Sequence, residues 1–337
     1  MKYLNKFKLL EQLIGNTPLL KVTYKYKGNL NALYAKAEQY NFTGSIKDRM
    51  ALHVLRQAYM KGDFRQDSII IEATSGNAGI AFAGIGSALG NQVKIYMPNW
   101  LSQERISMIK SFGAEVELVS HEQGGFLGCI RMTQEVAAHN SKVFLTRQFD
   151  NYNNTAAHVA TTAPEIFRQL SSIGVTPDVF VAGVGTGGTV MGVGQFLQSV
   201  YPQIKVHPLE PTNSPTLSTG YKVGSHRIQG ISDEFIPAIL KLDELDHVVG
   251  VDDGDSIIMA QKLSQDLGLS VGISSGANFL GAVKLAHENP QANAVVTIFC
   301  DCNKKYFSTD YVKKIPVLDG FISSDIELVD FEVIAKK

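Results

Sequence analysis

The sequence has few cysteines, almost no net charge and no long apolar run. Three cysteines in 337 residues are too few for a disulfide framework, so we expect a reducing compartment. The 31 lysines and arginines nearly cancel the 32 aspartates and glutamates, which leaves no electrostatic footprint for nucleic acid or an anionic membrane. No apolar stretch approaches the roughly 20 residues of a membrane helix. A small molecule is therefore the expected partner.

The N-terminus and the C-x-C pair carry no further signal. The first 15 residues contain three lysines, but Lys8 and Glu11 interrupt the apolar residues and no small-residue cleavage site follows. We therefore expect no signal peptide and a cytoplasmic protein. Cys300 and Cys302 follow a strand-like run without a histidine pair at ligand spacing, so the sequence predicts no metal site there.

The order of strand and helix patterns predicts an α/β fold. The chain has room for about two domains of roughly 150 residues each, and short β-branched runs alternate with helical patterns, as in parallel sheets with crossover helices. The first unit has predicted strands at 68–73, 93–97, 115–119 and 142–146 and predicted helices at 76–89, 103–112 and 125–139. The second has predicted strands at 179–182, 205–209, 246–251 and 295–299 and predicted helices at 163–170, 189–199, 253–267 and 276–288. No linker separates the units, and the tail after Lys314 carries no obvious chemical motif.

A first glycine-rich segment, T-S-G-N-A-G from Thr74 to Gly79, follows a predicted strand and opens a helix. Free backbone N–H groups and the helix dipole favour an anion at such a position. Two hydroxyls and an amide there suit a substrate carboxylate. Taken alone, the segment is more simply explained as a helix N-cap, a role that Ser and Thr often have.

A second glycine-rich segment, G-V-G-T-G-G-T from Gly183 to Thr189, also joins a strand to a helix. It matches the dinucleotide pattern G-x-G-x-x-G, with Glu210 about 20 residues further on. Its glycines and two threonine hydroxyls could equally surround a single terminal phosphate. The motif alone leaves a nicotinamide cofactor and a phosphate group both open.

Further motifs decide between these alternatives. Lys47 lies in T-G-S-I-K-D-R and Ser274 in G-I-S-S-G, and a dehydrogenase needs neither residue. From the I-G-N-T-P segment at Ile14 to about Tyr306, the chain resembles the O-acetylserine sulfhydrylase and cystathionine β-synthase family of pyridoxal-phosphate (PLP) enzymes. The resemblance implies PLP fold type II (tryptophan synthase β-like), with two parallel-sheet α/β domains and pyridoxal 5'-phosphate in the cleft between them.

The resemblance also implies a domain division and an assembly. Residues 1–41 and 151–320 are expected to form a large PLP-binding domain, and residues 42–150 a small mobile domain that binds substrate. Residues 321–337 are expected to be a C-terminal tail. The protein is expected to be a homodimer that acts on a small amino acid.

The family motifs assign roles to individual residues. By resemblance, Lys47 is the Schiff-base lysine, Asn77 contacts the cofactor's 3′-oxygen and Ser274 contacts the pyridine nitrogen. The expected phosphate cup consists of Gly185, Thr186, Gly187, Gly188 and Thr189. The expected substrate contacts are Thr74, Ser75 and Gln148, with Ser75 also assigned to catalysis.

These roles are chemically reasonable for the residue types. A lysine forms an imine and, once displaced, is an amine that can take the α-proton, whereas a lysine without such neighbours is more often a surface residue. Ser274 can hydrogen-bond a neutral pyridine nitrogen but cannot keep it protonated as a carboxylate would. Elimination is thereby favoured over transamination. The simpler structural explanation for Ser274, an N-cap of a helix beginning near Gly276, is compatible with this contact.

Two positions depart from the family pattern. Ala78 replaces a threonine, so we expect one contact to the substrate carboxylate to be missing. Asp233, in G-I-S-D-E, replaces a small or aromatic residue near the active-site mouth, where a carboxylate could act as a general base towards water and repel anionic nucleophiles. On composition alone, Asp233 and Glu234 would more commonly be solvated loop acids.

Asp233 suggests a specific reaction. The hypothesis is β-replacement on L-cysteine by water, through an α-aminoacrylate intermediate, to give L-serine and hydrogen sulfide, as in a bacterial cysteine (hydroxyl) lyase. The alternatives are a cysteine synthase that uses O-acetylserine and sulfide, and an enzyme that forms lanthionine or cystathionine. A binding module without catalysis is less compatible with intact Lys47, Asn77 and Ser274.

Overall fold

The computed structural model describes residues 2–232 and 234–334 as two sheets with helices between their strands. The strands are β1 (Leu19–Tyr26), β2 (Asn29–Ala37), β3 (Ile69–Ala73), β4 (Gln92–Pro98), β5 (Glu115–Val119), β6 (Val143–Leu145), β7 (Val179–Gly183), β8 (Lys205–Pro211), β9 (Val249–Val251), β10 (Val295–Phe299) and β11 (Ile326–Ile334). The helices are α1 (Lys2–Leu13), α2 (Lys47–Lys61), α3 (Asn77–Leu89), α4 (Gln103–Ser111), α5 (Gly125–His139), α6 (Asn153–Ala157), α7 (Ala163–Ser172), α8 (Gly188–Val200), α9 (Thr216–Thr219), α10 (Asp253–Leu267) and α11 (Ile273–Glu288). In this described part of the chain, no helix is long and apolar enough to span a membrane.

The smaller sheet has four parallel strands in the order β5-β4-β3-β6. Each strand begins and ends within one residue of its predicted position. The central strand β3 places Ile70 opposite Val93 and Phe144, and its buried apolar run is typical of a parallel strand covered on both faces. The predicted α/β class is confirmed.

The larger sheet has the order β11-β1-β2-β10-β7-β8-β9. From β2 to β9 its neighbours are parallel, while β1 pairs antiparallel with both β2 and β11. The β1–β2 hairpin turns at Lys27 and Gly28, whose φ angles are 49° and 81°. A two-residue turn with two left-handed residues matches the twist of a hairpin. The alternating βα pattern did not predict this hairpin.

Strand β11 lies within the segment that was expected to be a tail. It covers the open edge of β1, pairing Tyr26 with Ile326 and Leu19 with Ile334. Two exposed ion pairs, Lys21–Glu332 and Lys25–Glu327, bridge the two strands. A strand edge that would otherwise present unpaired backbone groups is thereby covered.

Helices cover both faces of the larger sheet. Helices α10 and α11 contribute residues such as Ile257 and Phe279 to one buried apolar cluster. Helices α7 and α8 contribute residues such as Ile166 and Val193 to a second cluster on the other face. The sheet is therefore the middle of three layers, the arrangement expected for parallel strands joined by helices.

A buried cluster of charges anchors helix α2 to the larger sheet. The Arg49 Nε lies 2.6 Å from Glu38 Oε2, and its Nη2 lies 2.7 Å from Glu165 Oε2. Lys36 Nζ lies 2.8 Å from the same Glu165 oxygen. Burial opposes ionisation of Glu165, but hydrogen bonds and charge from Arg49, with the charge of Lys36, lower its pKa to about 2. The start of α2 is therefore tied to β2 and α7.

We expect Glu165→Gln to reduce the free energy of unfolding by about 3 kcal/mol or more, because it leaves buried cations uncompensated. The loss should shrink as pH falls from 4.5 towards 2, since a depressed carboxyl pKa stabilises the fold only where that carboxyl is ionised. Glu332→Gln, in an exposed pair, is the matched control and should change stability by no more than about 0.5 kcal/mol. Equal losses in urea titrations of the two variants would contradict the anchoring role.

Candidate active site

Lys47 is the first residue of α2, and its amine points towards the second glycine-rich segment. The Nζ lies 3.3 Å from Thr186 Oγ1. The preceding loop is rigid because the buried Asp48 carboxylate accepts hydrogen bonds from the Thr43 backbone N–H and from the Thr43 hydroxyl. Burial raises the pKa of Asp48 to about 6. The main chain of Ile46 donates to the Cys300 carbonyl at 2.9 Å, which fixes Lys47 beside the end of β10.

The T-S-G-N-A-G segment joins β3 to α3, as predicted. Gly76, with φ 140°, is the residue that caps α3, so neither Thr74 nor Ser75 is the N-cap. The Thr74 hydroxyl accepts a hydrogen bond from the Gly76 N–H at 2.9 Å. Asn77 is the first helical residue. The polar side chains of the segment thus gather at the N-terminus of α3.

The G-V-G-T-G-G-T segment joins β7 to α8 in a tight loop. A Cβ on Gly185 would lie 2.3 Å from the Gly230 carbonyl oxygen, and one on Gly188 would lie 2.1 Å from Asn154 Oδ1. Asn154 also donates to Thr186 Oγ1 at 2.8 Å. Only glycine allows this close backbone packing at the start of α8, where free N–H groups favour a phosphate.

The hydrogen bonds of Glu210 argue against a dinucleotide site. Its carboxylate is buried and accepts hydrogen bonds from the Leu217 N–H at 2.6 Å and from the Ser218 N–H and hydroxyl at 3.2 and 2.5 Å. These bonds fix the loop after β8. A carboxylate already used in this way is not available to a ribose hydroxyl, so the structure favours a phosphate group over a nicotinamide dinucleotide.

Ser274 lies in the first turn of α11 and is buried. It is not an N-cap, the simpler explanation weighed for it, because α11 begins at Ile273 and Gly272 is its capping residue. Ser274 lines a cavity. That cavity is lined by Lys47, Asn77, Gly185, Thr186, Gly187, Thr189 and Ser274, among others.

A second cavity adjoins the first and shares Lys47 and Asn77 with it. Its further lining includes Thr74, Ser75 and Gln148. The structure therefore brings the predicted cofactor residues and the predicted substrate residues together around one amine. Their individual roles remain predictions.

The groups around the first cavity fit pyridoxal 5'-phosphate. The N-terminus of α8 and the threonine hydroxyls suit a phosphate, Lys47 supplies an amine for the aldehyde, and Ser274 supplies a neutral hydrogen-bond partner. His158 lies behind Thr189, with its Nε2 3.4 Å from the Thr189 hydroxyl. Burial and the charge of Lys47 hold the pKa of His158 well below its usual value, so this imidazole adds no charge.

Asn77 is held by residues that sequence reasoning missed. Its Nδ2 donates to Asp301 Oδ2 at 2.8 Å, and its Oδ1 accepts from Lys305 Nζ at 2.9 Å. Tyr306 donates to the same aspartate oxygen at 2.9 Å. Because an amide nitrogen carries two hydrogens, one remains for a ligand. The K-K-Y sequence after the C-x-C pair gave no signal of this arrangement.

Arg105, another residue missed by the sequence, lines the second cavity. It is fully buried, lies 4.5 Å over the Tyr306 ring and places its Nη2 3.6 Å from Asp301 Oδ2. It also donates to Gln229. Since Arg105 comes from α4 and its partners come from the other sheet's side of the cleft, it bridges the cleft walls.

The second cavity adjoins a mouth of about 560 Å³. Ser75 and Gly230 line both of them, and Trp100 stacks on His121 at 3.6 Å in the wall of the mouth. Asp233 lies outside the described residues. Its neighbours Ser232 and Glu234 line the mouth, so the predicted loop borders the entrance to the site.

Within the described residues, no group of histidine, cysteine, aspartate and glutamate side chains is arranged to hold a metal ion. Cys129, Cys300 and Cys302 are free thiols.

Comparisons with known proteins agree with this geometry. Residues 10–301 match the family model described as "Pyridoxal-phosphate dependent enzyme". The chain is 42% identical over 299 residues to cysteine synthase B of Campylobacter jejuni, a match that covers 89% of this chain and 96% of that protein.

Solved structures are similar over nearly the whole chain. A hydrogen sulfide-producing enzyme from Fusobacterium nucleatum is 52% identical, with a TM-score of 0.96 over 98% of this chain and 99% of that chain. An aspartate-to-asparagine variant of a hydrogen sulfide-producing enzyme, complexed with an α-aminoacrylate intermediate, is 53% identical, with a TM-score of 0.94 over 96% and 97% of the two chains. The expected PLP fold type II is confirmed by these neighbours. The chain therefore belongs to the pyridoxal-phosphate dependent enzyme family, as a lyase or transferase that uses pyridoxal 5'-phosphate.

Proposed function

We propose that the protein replaces the thiol of L-cysteine with water, giving L-serine and hydrogen sulfide, and that Asp233 directs the water. The observation that carries this proposal is a single cavity that joins Lys47 to the carboxylate-binding groups Thr74, Ser75 and Gln148. This cavity opens to the mouth beside the residues that flank Asp233.

The similar structures support the choice of reaction. Two of them are structures of one hydrogen sulfide-producing enzyme, and hydrogen sulfide is the co-product of the proposed reaction. The aspartate variant of this enzyme was captured with an α-aminoacrylate intermediate. Loss of a single aspartate in that protein is thus compatible with elimination, as expected if an aspartate acts in the later addition of water.

Residues of this chain would bind and orient both the substrate and the cofactor. Thr74, Ser75 and Gln148 would hold the substrate carboxylate at the N-terminus of α3, where the helix dipole favours a negative charge. The N-terminus of α8 with Thr186 and Thr189 would hold the cofactor phosphate. Bound cofactor supplies the electron sink for reactions at Cα and Cβ. Orientation in this cleft then determines which bonds react.

Two groups would move protons in the proposed reaction. The Lys47 amine takes a proton from Cα and later returns it, as a general base and then a general acid. The Cβ–S bond would break, with sulfur leaving as hydrosulfide. Asp233 would take a proton from water as the water oxygen forms the new Cβ–O bond. Release of that proton through solvent to hydrosulfide would give hydrogen sulfide, so that cysteine and water balance serine and hydrogen sulfide.

We further propose that residues 42–150 move as the small domain against residues 1–41 and 151–320. The four-stranded sheet lies wholly within residues 42–150. The substrate groups Thr74, Ser75 and Gln148 are attached to that sheet, whereas Thr186 and Ser274 are attached to the larger one. Relative motion of the sheets would therefore open and close the substrate cavity.

Glu72 forms hydrogen bonds to the two segments that carry the proposed substrate-binding residues. Its buried carboxylate accepts hydrogen bonds from the Ala73 N–H at 2.8 Å, the Gln148 N–H at 3.3 Å and the Thr146 hydroxyl. Burial raises the pKa of Glu72 to about 7, although these hydrogen bonds oppose the rise. The Gln148 side chain in turn donates to the Ala73 carbonyl at 2.8 Å, so its orientation depends on this support.

A product assay of the PLP-loaded enzyme with L-cysteine alone tests the reaction. We expect equal amounts of sulfide and serine, with little pyruvate or lanthionine, because water in the closed cavity would trap the eliminated substrate. Sulfide with lanthionine would favour a thiol as nucleophile. Negligible turnover that is rescued by O-acetylserine plus sulfide would make the protein a cysteine synthase, the second candidate function, which its similarity to such enzymes favours.

Asp233→Asn tests the role of the loop acid. We expect serine formation to fall by about 100-fold or more, the range that loss of a general base produces, while hydrogen sulfide is still released and α-aminoacrylate absorbance accumulates. Glu234→Gln is the matched control, because Glu234 pairs with Lys222 at 2.6 Å at the rim. It should retain near-normal serine formation. Normal serine output from Asp233→Asn would remove Asp233 from the mechanism.

Glu72→Gln should change the pH dependence of stability. A carboxyl pKa that is raised on folding stabilises the fold fully below its unfolded value, and this contribution is lost as pH rises through the folded value. We therefore expect the free energy of unfolding of wild type to fall relative to that of Glu72→Gln as pH rises from 4.5 to about 7. The exposed Glu117→Gln, measured by the same urea titrations, should show a constant difference. Parallel curves for both variants would contradict the raised pKa.

A further inference from the structure

The Asn77 side chain can present either its oxygen or its nitrogen to a ligand, and the residues around it determine which. The two ends of an asparagine amide have nearly the same shape, so only their hydrogen-bond partners distinguish them. The Nδ2 lies 2.8 Å from Asp301 Oδ2, and the Oδ1 lies 2.9 Å from Lys305 Nζ. A carboxylate accepts hydrogen bonds and an ammonium donates them. Both partners therefore require the same orientation, with the NH₂ group towards Asp301.

These two partners are themselves held in place. Lys305 is fully buried, and its Nζ also donates to the Gly44 carbonyl at 3.0 Å. Asp301 is fully buried as well, and its Oδ2 also accepts from the Tyr306 hydroxyl at 2.9 Å. Burial lowers the pKa of Lys305, but the negative charge of Asp301 opposes this effect. The pair thus forms a fixed support behind the Asn77 amide.

This support lies behind the cavities and not in them. Asn77 lines both cavities, whereas neither Lys305 nor Asp301 is among the described residues that line them. Because Lys305 binds the amide oxygen and Asp301 binds one of the two N–H groups, Asn77 offers a ligand a donor and not an acceptor. A donated hydrogen bond favours the deprotonated form of a phenolic oxygen.

We propose that Lys305 is a positioning residue that keeps the Asn77 amide turned so that its NH₂ group donates to the 3′-oxygen of the cofactor. Lys305 does so together with Asp301 and without touching the cofactor. This inference rests on the expected contact between Asn77 and the 3′-oxygen, and it adds what sets the direction of that hydrogen bond. Its consequence is a bound cofactor whose 3′-oxygen stays deprotonated.

The test compares Lys305→Met with Lys304→Met in the full-length protein, loaded with pyridoxal 5'-phosphate and without substrate, so that the outcome does not depend on the proposed reaction. Methionine is nearly as long as lysine but donates no hydrogen bond, and Asp301 Oδ2 keeps a positive neighbour in Arg105 Nη2 at 3.6 Å. The readouts are the absorption spectrum of the bound cofactor and its dissociation constant.

We expect Lys305→Met to reduce the long-wavelength absorption band, which belongs to cofactor with a deprotonated 3′-oxygen, in favour of the short-wavelength band. Binding should weaken about 5-fold, the effect of one neutral hydrogen bond of about 1 kcal/mol. Lys304 is exposed, so Lys304→Met should match wild type in both readouts. Should Lys305→Met not fold, Lys305→Gln, whose side chain ends one bond short of Asn77, is expected to give the same change.

Asn77→Ala and the double variant with Lys305→Met separate the inference from the contact on which it rests. If Lys305 acts through Asn77, the double variant should have the spectrum and the affinity of Asn77→Ala alone. An added loss in the double variant, or a change in only one of the two single variants, would overturn the inference. If only Asn77→Ala changes the readouts, the Asn77 contact still stands. No change in either single variant would overturn that contact and the inference with it.

Discussion

The site depends on the hydrogen bond between the backbone of Ile46 and the carbonyl of Cys300. This bond joins the loop before α2 to the end of β10, and so places the Lys47 amine beside Thr186. The carboxyl ends of parallel strands are where an open α/β sheet collects ligand groups, and β7 and β10 both end at this cleft. The bond therefore connects the helix that carries Lys47 to the strand ends that carry the other residues of the site.

Two clusters of charged side chains are buried in the protein, whose net charge is only -1. Arg49, Glu38, Lys36 and Glu165 are all buried and satisfied by one another. Behind Asn77, the buried Asp301 and Lys305 form a second polar network. Buried ion pairs contribute little net stability but are strongly destabilising when one partner is removed. Loss of one partner from either network would therefore disturb the placement of α2 or α3 beside the cleft.

The sequence predicted the parts of the structure that depend on local patterns. The strands of the smaller sheet were placed within a residue because each is a short β-branched run before a helix. The two glycine-rich segments were identified because tight strand-to-helix turns require glycine at fixed positions. The β1–β2 hairpin was missed because its turn is Lys27-Gly28 and not the usual Asn-Gly. Arg105 and Asp301 were missed because only the tertiary fold brings residues 196 positions apart to one cleft. Helix α11 starts at Ile273 and not at the predicted Gly276, because sequence patterns define the ends of an element less well than its presence.

Strand β11 closes the edge of β1, but it follows every other strand of both sheets in the chain and is therefore synthesised after them. During translation, β1 and β2 emerge early, but the outer edge of β1 stays open until residues 326–334 leave the ribosome. An open strand edge is a template for pairing with other chains. Chains that end before residue 326 would therefore carry the residues of the site together with an unprotected edge, which is a route to aggregation through strand pairing.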